Sequence, residues 1–397
     1  METFNKEMFG LGSKRSVIRD LFEFGKQRAA QVGADKVFDF SLGNPSVPAP
    51  ENVREAIRSL IDEPDSTALH GYTSAPGDIQ VRQAIAADIN ARFGAGIGAE
   101  DIYMTCGAAA SLCITFRALN SDSDEFIALA PYFPEYKVFI TAAGARIKSV
   151  RFREEDFQPD LEALGKAIGP ATKGVVVNSP NNPCGVVYTP ETLEAICTIL
   201  REKEAEYGHP IYLICDEPYR EIVYGDVQVP YIMNMYDDSI VCYSFSKSLS
   251  LPGERIGYIA VCPRAASAHE IYAAICGAGR ALGYVCAPSL FQKVVGKVVG
   301  TQPDIAAYAR NRDLLFNSLE EIGYKCVRPD GAFYLFVKAL ESDAGAFSQK
   351  AKEFGLLLVP GDDFEAPGYV RIAYCVSYEM IKRSMPAFRA LFECYRG

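Results

Sequence analysis

Short apolar runs recur along this chain, separated by stretches of helical period, and they constrain the fold more than any other feature. The runs are residues 102–104, 126–129, 174–177, 211–215, 240–243 and 256–261. They are too short for helices, and each reads as a buried strand. Residues 16–31, 53–61, 79–93 and 190–207 carry helical patterns, and 38–43 is a short strand running into the turn-rich segment 44–50. Strands that alternate with helices predict an α/β domain with a mostly parallel sheet. After residue 290 the pattern changes. A long helical region, 289–322, precedes strand candidates at 324–328, 333–337 and 369–373 and a final helix over 378–395. The expected organisation is therefore a large domain over 46–290, with an N-terminal arm (1–45) joined to a smaller α+β domain (291–397).

The length of 397 residues accommodates roughly two to three domains, and an apolar fraction of 49% is ample for a large core. The net charge is −10 and no basic tract is present, so nucleic acid is not an expected partner. The twelve cysteines form no C-x-x-C pair. Scattered thiols such as Cys215, Cys242, Cys262 and Cys286 in apolar company fit a reducing compartment. His70, His209 and His269 lie far apart, so no metal is expected. The N-terminus shows no signal-peptide pattern and no apolar run reaches roughly 18 residues, which points to the cytoplasm with no membrane partner.

In open α/β sheets, ligands bind beyond the carboxyl ends of the strands. Three such ends carry unusual chemistry. One is Ser244-Phe245-Ser246-Lys247, followed by Arg255. A desolvated lysine amine is suited to forming an imine with a carbonyl cofactor. The two hydroxyls and the guanidinium beside it suit a phosphate. A second is Asp216, which directly follows five apolar residues and precedes Tyr219 by three. A carboxylate there is costly to bury unless paired, although an Asp at such a place is also a candidate helix N-cap. The third is Asn178-Ser-Pro-Asn-Asn-Pro-Cys-Gly185, whose turn formers explain the composition but not the amide of Asn182 beside a buried strand end.

Taken together, Asn178 to Gly185, Asp216-Glu-Pro-Tyr219, Ser244-Phe-Ser-Lys247 with Arg255, and Tyr369-Val-Arg371-Ile-Ala resemble the class I/II pyridoxal-phosphate-dependent aminotransferases. Weaker matches at Gly43, Tyr72 and Gly107 extend the likeness over nearly the whole chain. The resemblance implies the fold type I architecture, a three-layer αβα large domain with a smaller α+β domain. It also implies pyridoxal 5′-phosphate as cofactor. Lys247 would hold the cofactor as an imine and then carry the proton as base and acid. Asp216 would contact the pyridine nitrogen and keep it protonated, so that the ring serves as an electron sink. Tyr219 and Asn182 would bond the ring 3-oxygen. Phe133 would stack on the ring, although ordinary core packing explains it equally well.

For the phosphate, the resemblance implies Arg255, Ser244 and Ser246, with the backbone of Gly107, Ala108 and Ala109 at the start of the helical stretch 111–119. Tyr72 resembles the tyrosine that reaches the phosphate of a partner subunit, which implies a homodimer with shared sites. Arg371 matches the residue that pairs with the substrate α-carboxylate. Gly43 matches a segment that closes over the substrate.

The implied reaction is ping-pong transfer of an amino group between an L-amino acid and a 2-oxo acid, with 2-oxoglutarate and glutamate as the expected pair. One branch of the family binds a distal carboxylate through a lysine two residues after the phosphate-loop glycine. Here that residue is Ala109. Lys14 or Arg15 is the candidate replacement, against the plainer reading of two solvated charges. Two alternatives share most of these motifs: a carbon–sulfur β-lyase on the same scaffold, and a regulatory domain that senses the cofactor.

Overall fold

The computed structural model describes residues 3–13, 17–121 and 123–396. The chain forms two compact units. The larger comprises Pro45–Ala307 with Pro329–Ala332, and the smaller Met1–Asn44, Tyr308–Arg328 and Phe333–Gly397. The sequence reading began the smaller domain at residue 291. In the structure, residues 291–307 cluster with the larger unit. Helix Ser289–Val298 buries Val294, Val295 and Val298 and packs on helices Glu51–Ile61 and Ile79–Phe93.

The larger unit is built on a seven-stranded sheet. In spatial order its strands are Ile102–Thr105, Gly257–Val261, Ser239–Ser244, Tyr212–Asp216, Thr172–Asn178, Glu125–Leu129 and Arg146–Val150. Gly257–Val261 runs antiparallel to both its neighbours, and every other adjacent pair is parallel. The central strands are buried along nearly their whole length, as expected when helices cover both faces. The α/β reading with a mostly parallel sheet describes this unit.

The strand Arg146–Val150 was not anticipated. It is an edge strand with alternately charged residues facing solvent, so no apolar run marks it. The helical region 289–322 is interrupted. Helix Ser289–Val298 and helix Ile305–Ile322 are separated by Val299, which is extended, Gly300 at φ 83° and Pro303, which cannot donate to a helix.

In the smaller unit, Tyr369–Ala373 is the centre of an antiparallel three-stranded sheet, between Val359–Pro360 and Tyr334–Lys338. Phe38–Asp39 pairs in parallel with Leu356–Leu357. The expected strand over 324–328 is reduced to one bridge, Cys326 to Val337. Helix Tyr378–Cys394 closes this core, with the Phe388 ring 5.8 Å from that of Phe40.

Candidate active site

The sheet register brings the singled-out residues of the larger unit to one edge. Asn178 pairs with Asp216, Asp216 with Cys242, and Ser244 with Gly257, which also pairs with Thr105. Because Gly257–Val261 runs the other way, its first residue meets the last residues of its neighbours. Arg255 thereby arrives beside Ser246 and Gly107.

Asp216 ends its strand rather than capping a helix. Tyr136 donates from its hydroxyl to Asp216 Oδ2 at 2.6 Å. Asn178 Nδ2 donates to the main-chain oxygen of Asp216 at 2.8 Å. The other carboxyl oxygen, Oδ1, is buried with no hydrogen-bond partner among the described residues. Burial pushes the Asp216 carboxyl up to about 7; the Tyr136 hydrogen bond opposes this and the neighbouring Glu217 charge adds to it. A fully buried carboxyl with one unused oxygen calls for a cationic donor. Burial and the Asp216 charge both push the Tyr136 hydroxyl well above the usual phenol range, so it remains a donor.

Asn178 also orders the next loop. Its Oδ1 accepts the backbone N–H of Asn182 at 2.8 Å, which fixes Asn182 beside the end of the Asp216 strand. Tyr219 is buried on the turn after Asp216, and Lys247 Nζ lies 5.9 Å from its ring centroid. Lys247 is not on the strand itself. Ser244 ends the strand and caps the short helix Phe245–Ser248, accepting the Ser246 N–H at 3.2 Å. That turn lifts Lys247 past the strand end.

Ser244, Ser246 and Arg255 form a chain of donors: Ser244 Oγ to Ser246 Oγ at 2.8 Å, and Arg255 Nη1 to Ser246 Oγ at 3.4 Å. Arg255 itself holds a φ of 52°. Gly107 is the N-cap of helix Ala108–Leu119, so Ala108 and Ala109 form the first helical turn instead of preceding it. Gly107 has φ 87°, and a Cβ there would stand 2.8 Å from Arg255 Nη2. Only glycine lets this backbone approach the guanidinium. The result is a cradle of N–H groups at a helix N-terminus, two hydroxyls and an arginine.

Phe133 follows the cis peptide Ala130–Pro131, is half-buried, and meets Tyr136 edge-on at 5.9 Å. Tyr72 is 98% exposed, so the single chain's cradle does not enclose it. In the smaller unit, Arg371 is 2% exposed, which excludes a surface role. Its guanidinium lies 4.6 Å from the Tyr334 ring and 5.0 Å from that of Phe364, and Nη2 donates to Ser41 O at 2.6 Å. Gly43 leaves no room for a side chain, because a Cβ there would collide with the Tyr334 hydroxyl. Lys14 and Arg15 lie outside the described residues.

Two contributors escaped the sequence reading. In the sequence nothing separates Tyr136 from a core aromatic, although it sits three residues after Phe133. Asn178 opens the Asn-Ser-Pro-Asn-Asn-Pro motif and holds both Asp216 and Asn182.

The family model for aminotransferase class I and II matches residues 35–388. The chain belongs to that family, whose members are pyridoxal-phosphate-dependent transaminases. Among solved structures, an aminotransferase from Eubacterium rectale is 57% identical over the whole of both chains, with a TM-score of 0.98. The aspartate aminotransferase of Thermus thermophilus, solved with maleate, is 27% identical at a TM-score of 0.87, covering 98% of this chain and 100% of the other. The curated aspartate/prephenate aminotransferase from Thermus thermophilus is 30% identical, covering 88% of this chain and 89% of its own. A valine–pyruvate aminotransferase from Mycobacterium tuberculosis is 32% identical over 85% and 86%. The residues present fit the cofactor. The unpartnered Asp216 oxygen suits a protonated ring nitrogen, and the cradle at Gly107 and Arg255 suits a phosphate.

Proposed function

We propose that this chain is a homodimeric, cytoplasmic transaminase that uses 2-oxoglutarate and glutamate as one substrate pair. Bound pyridoxal phosphate supplies a carbonyl that accepts the amino group and a ring that takes up an electron pair. Lys247 would anchor the cofactor, and its freed Nζ would move a proton from the substrate α-carbon to the former carbonyl carbon of the cofactor, then the reverse way with the 2-oxo acid in the second half-reaction. Asp216 Oδ1 accepts the ring N–H, with Tyr136 holding the carboxyl in place. Tyr219 and Asn182 donate to the ring oxygen and Phe133 covers the ring face. Ser244, Ser246, Arg255 and the N–H groups of Gly107, Ala108 and Ala109 bind the phosphate. In the smaller unit, Arg371 receives the α-carboxylate, and Gly43 belongs to a segment that excludes water.

The observation that carries this reading is the unsatisfied, fully buried oxygen of Asp216 at the same sheet edge as Lys247. The aspartate aminotransferase names of several relatives, one solved with maleate, support a dicarboxylate substrate. Exposed Tyr72 supports a dimer, as do the exposed Leu282, Tyr284 and Val285. Free thiols throughout the described chain support a reducing compartment. No helix among the described residues is long and apolar enough to cross a membrane.

The test mixes cofactor-loaded protein with a panel of amino acids and follows the cofactor absorbance. Glutamate should remove the band and 2-oxoglutarate should restore it. A Lys247→Ala variant that keeps the band unchanged would overturn the assignment of the lysine. Pyruvate and ammonia release from cystathionine, without any such cycle, would instead indicate β-elimination.

A further inference from the structure

Behind the turn that carries Asp216 and Tyr219 lies a second buried charge system. Successive residues of an extended segment face opposite ways. Asp216 faces Tyr136 and Asn178, whereas Glu217 faces Arg220. The pair is a two-point fork: Arg220 Nε donates to Glu217 Oε2 at 2.6 Å, and Nη2 donates to Oε1. Both residues are nearly inaccessible, at 5% and 4% exposure. Arg220 also donates to the main-chain oxygens of Val229 at 2.9 Å and Pro230 at 3.1 Å. Its guanidinium lies 5.2 Å from both the Phe93 and the Tyr231 rings. The Glu217 N–H bonds Cys242 O at 2.9 Å, which ties this turn to the strand that leads to Lys247.

A buried ion pair of this kind is weak evidence for stability, because well-packed apolar residues of similar volume do as well. A different use follows from where it sits. The carboxyl of Glu217 is the next residue to the one carboxylate that must ionise when the ring nitrogen binds. A negative charge on the adjacent residue, left without a cation, raises the cost of ionising Asp216. We propose that Glu217 and Arg220 form a positioning pair, in which Arg220 offsets part of the Glu217 charge and so limits its opposition to Asp216 ionisation, while the same fork fixes the turn that presents Asp216 and Tyr219. This rests on the assignment of Asp216 to the ring nitrogen.

The surrounding groups do not substitute for Arg220. Asp216 is faced by Tyr136, Asn178 and Cys242, none of which is a cation. Glu217 and Arg220 are faced by Tyr231, Tyr243, Tyr258, Cys215 and Glu221, none of them a cation. The next guanidinium, Arg92, already donates to Glu221 through Nη2 at 2.8 Å and to Asp88 through Nη1 at 3.2 Å.

The test titrates pyridoxal phosphate into apo-protein at a series of pH values and reads affinity from absorbance, for wild type, Arg220→Met, Glu217→Gln and the double variant. Far-UV circular dichroism confirms that each variant folds. In Arg220→Met the uncancelled carboxylate opposes Asp216 ionisation, so the acid-side midpoint moves up by about one pH unit, and affinity near neutrality falls about tenfold. In Glu217→Gln the uncancelled guanidinium moves the midpoint down. The double variant returns close to wild type, because neither charge is left alone.

A merely structural role predicts loss in the same direction for both single variants and no recovery in the double. That pattern, or unmoved midpoints, overturns the proposal. If Arg220→Met does not fold, Glu217→Gln against the double variant still measures a midpoint difference of defined sign. Asp216→Asn is the control. If it retains the wild-type midpoint, the assignment of Asp216 is what has failed.

Discussion

Replacing Asp216 with asparagine should stabilise the cofactor-free protein and destabilise the loaded one. Burial raises the Asp216 carboxyl to about 7 in the folded chain. In the unfolded chain it regains an ordinary aspartate value. Between those two values the folded protein holds a proton that the unfolded chain has released. Stability of the apo-protein therefore falls as pH rises through this window, and is flat below and above it. A shift of about three units corresponds to about 4 kcal/mol at most. Asparagine fills the same space, accepts from Tyr136, and cannot ionise. Unfolding of both apo-proteins by urea across the acid-to-neutral range measures the difference. The two should converge at the acid end, and the variant should lead by up to about 4 kcal/mol near neutrality. With saturating cofactor the order should reverse, because a ring N–H then satisfies the wild-type oxygen and meets an amide in the variant. A difference between the two apo-proteins that does not change with pH would refute the reasoning.

The remaining predictions test neighbouring parts of the site. Tyr136→Phe removes a hydrogen bond to a charged group, worth about 1.5–3 kcal/mol, so the acid-side midpoint of cofactor binding should move up; an unchanged titration would show that the bond does not hold the carboxylate ionised. Gly107→Val puts a branched Cβ at φ 87° and 2.8 Å from Arg255 Nη2. At about 1–3 kcal/mol of strain, cofactor affinity measured by equilibrium dialysis should fall roughly tenfold or more. Tyr72→Ala and Lys247→Ala should each be inactive alone. After subunits are mixed and reassociated, hybrids with one intact site should restore about a quarter of wild-type activity, and no recovery would count against shared sites.

How much of this was legible in the sequence depends on the kind of signal. Buried strands announce themselves as apolar runs, so the strands that end in Asn178, Asp216 and Ser244 were located to within a residue or two. An abrupt switch from apolar run to functional side chain also marked Asp216 and Lys247. Direction left no such trace. Nothing in Gly257–Val261 distinguishes a strand that runs against its neighbours from one that runs with them. The edge strand Arg146–Val150 hid behind its charges. Tyr136 was invisible because a tyrosine whose ring packs in a core and one whose hydroxyl holds a carboxylate present the same letter. Arg371 was legible only by resemblance. Its burial depends on Phe364, seven residues away, and on Tyr334 and Ser41, which lie far from it in sequence.

The reversed strand has a consequence for how the site tolerates change. In a parallel sheet, every side chain delivered to one edge is followed by a long crossover back to the other. Those crossovers can lengthen with little penalty, since loop closure grows only slowly with length. Reversing Gly257–Val261 lets one tight connection deliver Ser244, Ser246, Lys247 and Arg255 to the same edge. Its length is then part of the chemistry: an inserted residue would change the spacing between the amine and the guanidinium. Natural length variation should therefore collect in the helical crossovers and be absent between Ser244 and Gly257. The same closeness in sequence makes these contacts local, so this corner of the site can form early in folding, ahead of the long-range strand pairings that bring Asp216 and Asn178 to it.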